Sequence, residues 1–339
     1  MKLLARCRFA VYEFLMTQNA IFQPSDAPLT IAILVLAQAS ILEVASALDP
    51  LRSANRHLGR QAFIWRIVST DGAAVPLTCG LSLPAAGPLT AAVGADALFV
   101  IAGYRLHEVA TRPLIRALHQ IAPRFKLLGA IDSGPWVLAR AGLLNGYRAT
   151  LHWEDLEDLA SAHPEIEVVP DRYVIDRNRV TIGGAGPAQD FMLDLIRARH
   201  GAPLARQVAR SFLTHARPGA EPQIAPATRP SGMDPRVAAA AARMEARLDQ
   251  PETVAQIAKA IGLSPRRLEL LFRASFGTSP GAYSRSLRLQ AARHMLTDTK
   301  HPLAEIALRT GFSDPSTLSR AFQQNFGHPP GQLRKTAKP

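Results

Sequence analysis

Val254-Ala255-Gln256-Ile257-Ala258, closing on Gly262, and Leu303-Ala304-Glu305-Ile306-Ala307, closing on Gly311, are two versions of one phrase. Each continues in the same way: Ser264-Pro265 or Asp314-Pro315, Leu268 or Leu318, Phe272 or Phe322, Phe276-Gly277 or Phe326-Gly327, and Pro280 or Pro330. The offset is 49 residues at the glycine (262 to 311) and 50 beyond it (277 to 327), so the second copy carries one extra residue in its turn. A repeat that keeps its apolar positions and its turn chemistry together is one supersecondary unit used twice.

Within the first copy, Val254, Ile257, Ala258 and Ile261 fall at i, i+3, i+4 and i+7, a single apolar stripe on a helix. Gly262 stands where a left-handed residue ends such a helix. Ser264 then caps the next one, and Pro265 fits its first turn, where no backbone N–H is needed. Leu268, Leu271 and Phe272 turn inward and leave Arg266, Glu269, Leu270 and Arg273 outside. The second copy repeats the layout with Leu303, Ile306, Ala307, Thr310, Gly311, the cap Asp314, and inward Leu318, Phe322 and Phe326. Ser316, Ser319, Arg320 and Gln323 face out. Helix, tight turn, helix is the helix-turn-helix pattern, whose second helix enters a DNA groove.

Two such units joined by one long helix, about 281–297, resemble the DNA-binding domain of AraC/XylS-type regulators over roughly the last hundred residues. The resemblance rests on Gly311-Phe312-Ser313-Asp314, Leu318-Ser319-Arg320-Ala321-Phe322 and Phe326-Gly327-His328-Pro329-Pro330. Charge agrees with it. From Pro230 onward there are 16 Lys+Arg against 8 Asp+Glu, so +8 of the chain's +12 excess sits in its last third. A basic helix-turn-helix unit is the electrostatic footprint of a phosphate-backbone binder. The expected partner is double-stranded DNA, with two recognition helices in successive major-groove segments roughly 34 Å apart. Arg266, Arg267 and Glu269, with Ser316 and Thr317, are the expected base readers, since arginine suits guanine and a carboxylate suits cytosine. Arg320 and Arg285 are expected at phosphates, and Arg273 on the same exposed face.

Ahead of this unit the pattern changes. TIAILVL at 30–36 is a continuous apolar run of strand length, as in a parallel sheet buried on both faces. Helix 40–56, strand 63–69, strand 97–101, helix 112–121 and strand 126–131 follow, then a hairpin at 173–182 and helices at 187–200 and 203–215. Strands alternating with helices indicate an α/β domain with a mostly parallel sheet. The Pro-, Gly- and Ala-rich stretch 216–234 reads as the linker. The expected domains are therefore an N-terminal extension (1–27), an α/β domain (28–215), the linker (216–234) and an all-α domain (235–335).

At Ile131-Asp132-Ser133-Gly134-Pro135-Trp136 a strand ends, the chain turns sharply and a helix, about 137–144, begins. Together with the Ala149-Thr150-Leu151-His152-Trp153 strand, this elbow is similar to the PfpI-like (flavodoxin-like), glutamine-amidotransferase-like domain of GlxA-family regulators, over about 28–215. Asp49-Pro50-Leu51-Arg52-Ser53-Ala54-Asn55 matches a further stretch, where the family places an acid facing the elbow. Enzymes of the superfamily carry a cysteine at the elbow, activated by its helix N-terminus. This chain has Asp132 there, a far poorer nucleophile toward amides, and neither Cys7 nor Cys79 lies near it in sequence. The resemblance thus implies a catalytically inactive sensor rather than an enzyme. Ligands of open α/β sheets lie beyond the carboxyl ends of the strands. Asp132 and Asp49 would receive a cation, Trp136 or Trp153 an aromatic contact to it, and the N–H groups from Ser133 onward an anionic group. The ligand so implied is a small nitrogen-containing metabolite: betaine-, carnitine- or amino-acid-like.

The remaining features narrow the class. Two cysteines give no disulfide framework, which suits a reducing cytoplasm. No apolar run approaches the roughly 20 residues of a membrane span. His107-Glu108 lacks a second histidine at zinc-protease spacing, and Gly183-Gly184-Ala185-Gly186 lacks the Lys-Ser/Thr of a P-loop, so neither a metal nor a nucleotide cofactor is expected. The sequence reads as a cytoplasmic, homodimeric, ligand-responsive transcription factor that works with RNA polymerase, an activator of a catabolic operon. Two alternatives stay open: a constitutive DNA binder with a scaffold front domain, and a PfpI-like hydrolase with a DNA-binding tail.

Overall fold

The apolar run at 30–36 becomes β1 (Leu29–Val35), one strand in from the edge of a six-stranded sheet. The structure, a computed structural model, describes residues 19–223, 234–299 and 301–336. The other strands are β2 (Phe63–Val68), β3 (Ala97–Ala102), β4 (Leu127–Asp132), β5 (Tyr173–Asp176) and β6 (Arg179–Ile182). Their order is β2-β1-β3-β4-β6-β5, parallel except for the β5–β6 hairpin. The helices that flank the sheet include α1 (Ile41–Leu58), α2 (Arg112–Ile121), α3 (Gly134–Arg140), α4 (Ala185–His200) and α5 (Ala202–Ser211). Alternate residues of β1 explain the two-sided burial. Ile31, Ile33 and Val35 pack with Leu51, Phe191 and Val208 of α1, α4 and α5. Ala32 and Leu34 turn to the opposite face, with Leu114, Leu118, Val137 and Leu138 of α2 and α3.

Several sequence boundaries shift. Helix α3 starts at Gly134 rather than near 137, because Pro135 sits in its first turn, where a missing N–H costs nothing. Of the expected Ala149–Trp153 strand only Ala149 pairs, together with the preceding Arg148, against Glu167–Val168. Beyond it the chain is held by other bonds: the Thr150 N–H donates to the Thr181 hydroxyl at 2.9 Å, and the His152 N–H to the Asp132 carbonyl at 3.2 Å. The extension is not wholly outside the fold. Ile21 and Phe22 are buried, Phe22 meets Phe191 edge-on at 6.2 Å, and the Arg199 guanidinium donates to the carbonyls of Ile21 (3.0 Å) and Ala27 (2.8 Å). Residues 1–18 lie outside the described residues. At the other end the α/β unit continues to Gln223, so 216–223 is part of it and not linker. Residues 224–233 lie outside the described residues.

The second unit contains α6 (Pro235–Glu245), α7 (Val254–Ala260), α8 (Pro265–Phe276), α9 (Pro280–Asp298), α10 (Leu303–Arg309), α11 (Pro315–Phe326) and α12 (Pro330–Thr336). The sequence repeat becomes two helix pairs, α7–α8 and α10–α11, with α9 between them. Ser264 and Asp314 cap the second helices as read, accepting from the N–H of Arg267 (3.2 Å) and Thr317 (2.8 Å). Each pair has its own core. Ile257, Ala258, Leu268 and Phe272 gather on Val237, Ala241 and Met244. Ile306, Ala307, Leu318 and Phe322 gather on Leu289, Ala292 and Leu296.

Gly262 and Gly311 both adopt the left-handed region, φ 72° and 67°. Their surroundings differ. A methyl at Gly262 would meet open space, whereas at Gly311 it would lie 2.5 Å from the Leu248 carbonyl oxygen and 2.6 Å from Pro251. Gly262→Ala is therefore expected to cost only the left-handed penalty, about 1–2 kcal/mol. Gly311→Ala should add an overpacking cost of about 1–3 kcal/mol. Equal denaturation midpoints for the two variants would show that the second turn has room to relax.

Candidate functional site

The outer face of α8 begins with Arg266 and Arg267, both exposed at the helix N-terminus. One turn on, Glu269 is half-buried and ion-paired to the exposed Arg273 at 3.1 Å, the i,i+4 geometry of a helix surface. Glu269 therefore presents a carboxylate already held by its own helix. On α11, Ser316 and Arg320 are exposed. Thr317 is tied into the cap, its hydroxyl donating to the Asp314 carboxylate at 2.7 Å. The bonds from Thr317, Ser313 and Ser316 hold the Asp314 carboxyl down at about 2. Arg285 is exposed on α9. One turn further along α9, Arg288 lies over the Phe312 ring at 4.2 Å and donates to the Thr310 carbonyl at 2.8 Å. Arg288 braces the second turn, a role that charge counting could not separate from that of Arg285.

In the α/β unit the chemistry collects where β1, β3 and β4 end. Non-glycine residues with positive φ stand after each of these strands or at its last residue: Gln38 at 65°, Arg105 at 57° and Asp132 at 61°. Such backbone is strained, and strain of this kind clusters at ligand sites. Asp132 closes β4, opposite Ala102 in register, and the next N–H, of Ser133, donates to the Ala102 carbonyl at 3.0 Å.

The acid that meets Asp132 is not Asp49. Asp49 is half-exposed and paired with Arg52 at 2.7 Å. Asp132 instead shares a hydrogen bond with the buried Glu43, in the first turn of α1. Asp49 lies six residues beyond Glu43, more than one and a half turns along α1, and so falls on a different side of it. Burial and then the facing Asp132 charge push the Glu43 carboxyl well above the usual range. Burial and then the charge of Asp155, with a smaller part from Glu154, push Asp132 up as well. The local signal for Glu43 was present as Ser40-x-x-Glu43, a capping box that the structure contains. Read alone, it explains a helix start and hides the second task.

The aromatic candidates divide. Trp136 is partly buried against the α2–α3 core, with Arg140 over its ring and His163 edge-on, both at 5.7 Å, so it is a packing residue. Trp153 is 45% exposed beside His152, whose N–H holds the Asp132 carbonyl. The expected anion cradle after Asp132 is largely spent: the Ser133 N–H goes to Ala102, the Trp136 N–H to Ser133, and Pro135 has none.

Comparison with known proteins assigns both units. Residues 30–198 match the DJ-1/PfpI family, and residues 257–336 match a helix-turn-helix domain. The chain is 35% identical to the HTH-type transcriptional regulator CdhR of Pseudomonas aeruginosa, over 89% of this chain and 90% of that one. It is 33% identical to the HTH-type transcriptional regulator GlxA of Rhizobium meliloti, over 90% and 95%. The chain belongs to the GlxA family of HTH-type transcriptional regulators. This GlxA-family member also resembles a solved AraC family transcriptional regulator from Pseudomonas putida, with 30% identity and TM-score 0.50 over 55% of this chain and all of that one. The GlxA-family regulator is thus a DNA-binding protein with a DJ-1/PfpI domain in front. None of the helices among its described residues is long and apolar enough to cross a membrane.

Proposed function

We propose that the α/β unit is a catalytically inactive sensor for a small cationic amine, and that its ligand sets how the helix-turn-helix unit acts at an operator. The observation that carries this reading is the hydrogen-bonded Glu43–Asp132 pair, a buried carboxyl from the first turn of α1 against one at the end of β4, with Asp155 and Glu154 adding negative field. Ionising both members of such a pair is a net cost to folding unless something positive repays it. That argues against a front domain that is only a scaffold. The ammonium or quaternary ammonium of a betaine-, carnitine- or amino-acid-like metabolite supplies the charge, and the exposed Trp153 offers a face for it. Hydrolysis is not part of this reading, because a carboxylate at the elbow lacks the nucleophilicity of a thiolate toward amides.

The regulator acts in the cytoplasm as a homodimer, reads its operator through Arg266, Arg267 and the α11 face, and recruits RNA polymerase to a catabolic operon. A thermal-shift screen of betaines, carnitine, amino acids and dicarboxylates tests the sensor. A ligand that binds only the folded chain raises its melting temperature. Stabilisation by dicarboxylates but not by amines would reverse the charge assignment. For DNA, Arg266→Ala is expected to cost about 1–3 kcal/mol and to relax specificity at one operator position. Selection of bound sequences from a random duplex pool checks this, and an unaltered preference at every position removes Arg266 from base readout.

A further inference from the structure

Residues 216–223 read as linker by composition, yet from Arg217 to Gln223 every second residue is strapped to the α/β unit. The Arg217 N–H donates to Asp190 at 3.0 Å, and Asp190 is itself paired with the buried Arg172. The Arg172 N–H is shared between the carbonyls of Gly219 and Glu221, both at 2.9 Å. Gly219 lies against the Tyr173 ring so closely that a methyl there would stand 2.6 Å from it. The strap ends with Gln223. The two hydrogens of its side-chain NH2 are shared among three acceptors, the Thr150 hydroxyl (2.8 Å), the Leu151 carbonyl (2.6 Å) and the Asp171 carbonyl (3.0 Å). Thr150 gives its own hydroxyl hydrogen to the Asp171 carbonyl at 2.9 Å, so all three oxygens around Gln223 accept. The carboxamide fills its slot, since a methyl on Gly183 would come within 2.3 Å of it.

The slot adjoins the ligand site. Leu151 binds Gln223 through its carbonyl, and the next residue, His152, binds the Asp132 carbonyl through its N–H and precedes Trp153. One dipeptide therefore touches the sensing carboxylate's backbone at one end and the strap's last side chain at the other. Gln223 is also the last residue of the α/β unit before the segment that runs to the DNA-binding unit. We infer that Gln223 is the latch through which the Asp132 site controls the DNA-binding unit: displacement of Leu151-His152 by a ligand loosens or tightens the Gln223 slot, and the strap passes the change on. Gln223 is a positioning residue here and does not touch the ligand. The inference rests on the sensor reading above. A two-ended contact of this kind couples two sites reciprocally, by typical factors of about 5–150.

The test uses the full chain, operator DNA selected from a random pool, and glycine betaine as the probe. Saturating betaine is expected to change operator affinity of the parent protein by about tenfold. Gln223→Ala should keep the betaine thermal shift but respond at the operator by less than about twofold. Gln223→Glu, which puts an acceptor among three acceptors, should behave likewise, and the retained thermal shift shows that each variant is folded. A full response in both variants overturns the latch. If neither betaine nor any other amine of the screen gives a thermal shift in the parent protein, the sensor reading fails, and hydrogen exchange then judges the latch. In that case Asp132→Asn must speed exchange at 216–223 in the parent background and not in Gln223→Ala. Equal effects in the two backgrounds, or none, overturn it.

Discussion

Phe272→Ala is expected to open the first helix-turn-helix pair and leave the second folded, and Phe322→Ala to do the reverse. Both rings are fully buried. Phe272 packs at a tilt on Phe276 at 4.6 Å and meets Tyr283 edge-on at 5.2 Å, and Phe322 packs at a tilt on Phe326 at 4.5 Å. Removing such a ring costs about 3–5 kcal/mol through lost transfer energy and the cavity left behind. A core this small has little more stability than that to lose. The two clusters share no buried residue and are connected through α9, which gives Leu289, Ala292 and Leu296 to the second and partly buried Tyr283 and Leu287 to the first. Hydrogen exchange should thus show α7–α8 deprotected in Phe272→Ala with α10–α11 unchanged. Footprinting should lose the corresponding half-site, and operator affinity should fall on the order of a hundredfold or more. Simultaneous deprotection of both pairs in either variant would mean that the unit folds as one cooperative core.

The two separate cores were visible in the sequence, because a repeat prints its core twice. Caps, turn glycines and inward aromatics are local signals, and all sit where the two copies place them. The parallel sheet was equally legible, since a strand buried on both faces has to be a continuous apolar run. What escaped was decided by partners far away in the chain. Nothing near Gly219 or Gln223 announces that Arg172 and Thr150 will bind them, so a Pro- and Gly-rich strap looks the same as a free linker. Glu43 escaped for the opposite reason. Its local task as a helix-capping residue is complete in itself, and only the fold brings the Asp132 carboxyl against it. Asp49 was the acid that the family resemblance put forward, and the helical repeat turns it elsewhere.

Glu43→Gln should make the α/β unit more stable, and increasingly so as the pH rises. Both carboxyl groups of the pair titrate above their unfolded values in the folded chain, because burial and the neighbouring negative charges disfavour ionisation. A group whose folded pKa is raised contributes stability below its unfolded pKa and loses it as pH climbs through the folded value. The parent protein should therefore weaken from about pH 5 to about pH 9, and the pair's share of that slope should shrink in Glu43→Gln. The gain grows toward the alkaline end, since each tenfold change in a carboxyl group's proton affinity is worth about 1.4 kcal/mol. Glutamine preserves the cap, its carbonyl oxygen still accepting from Ser40, and its amide can donate to Asp132 as the protonated acid does. Glu43 is raised further than Asp132, so Asp132 ionises first and is the acid that carries the pair's charge. Glu43→Gln keeps that charge on Asp132, and amine binding should survive. Asp132→Asn fits the left-handed backbone, which asparagine tolerates, but leaves Glu43 as the sole acid, strongly biased toward its neutral form. Amine affinity should then drop by about 10- to 100-fold, roughly the worth of one enclosed charge pair. Denaturation curves across pH and ligand titrations of the two variants measure both effects. If Asp132→Asn binds the amine as tightly as the parent protein, the cation does not sit on this pair, and a stability that is flat with pH in the parent protein would show that its carboxyls are solvated after all.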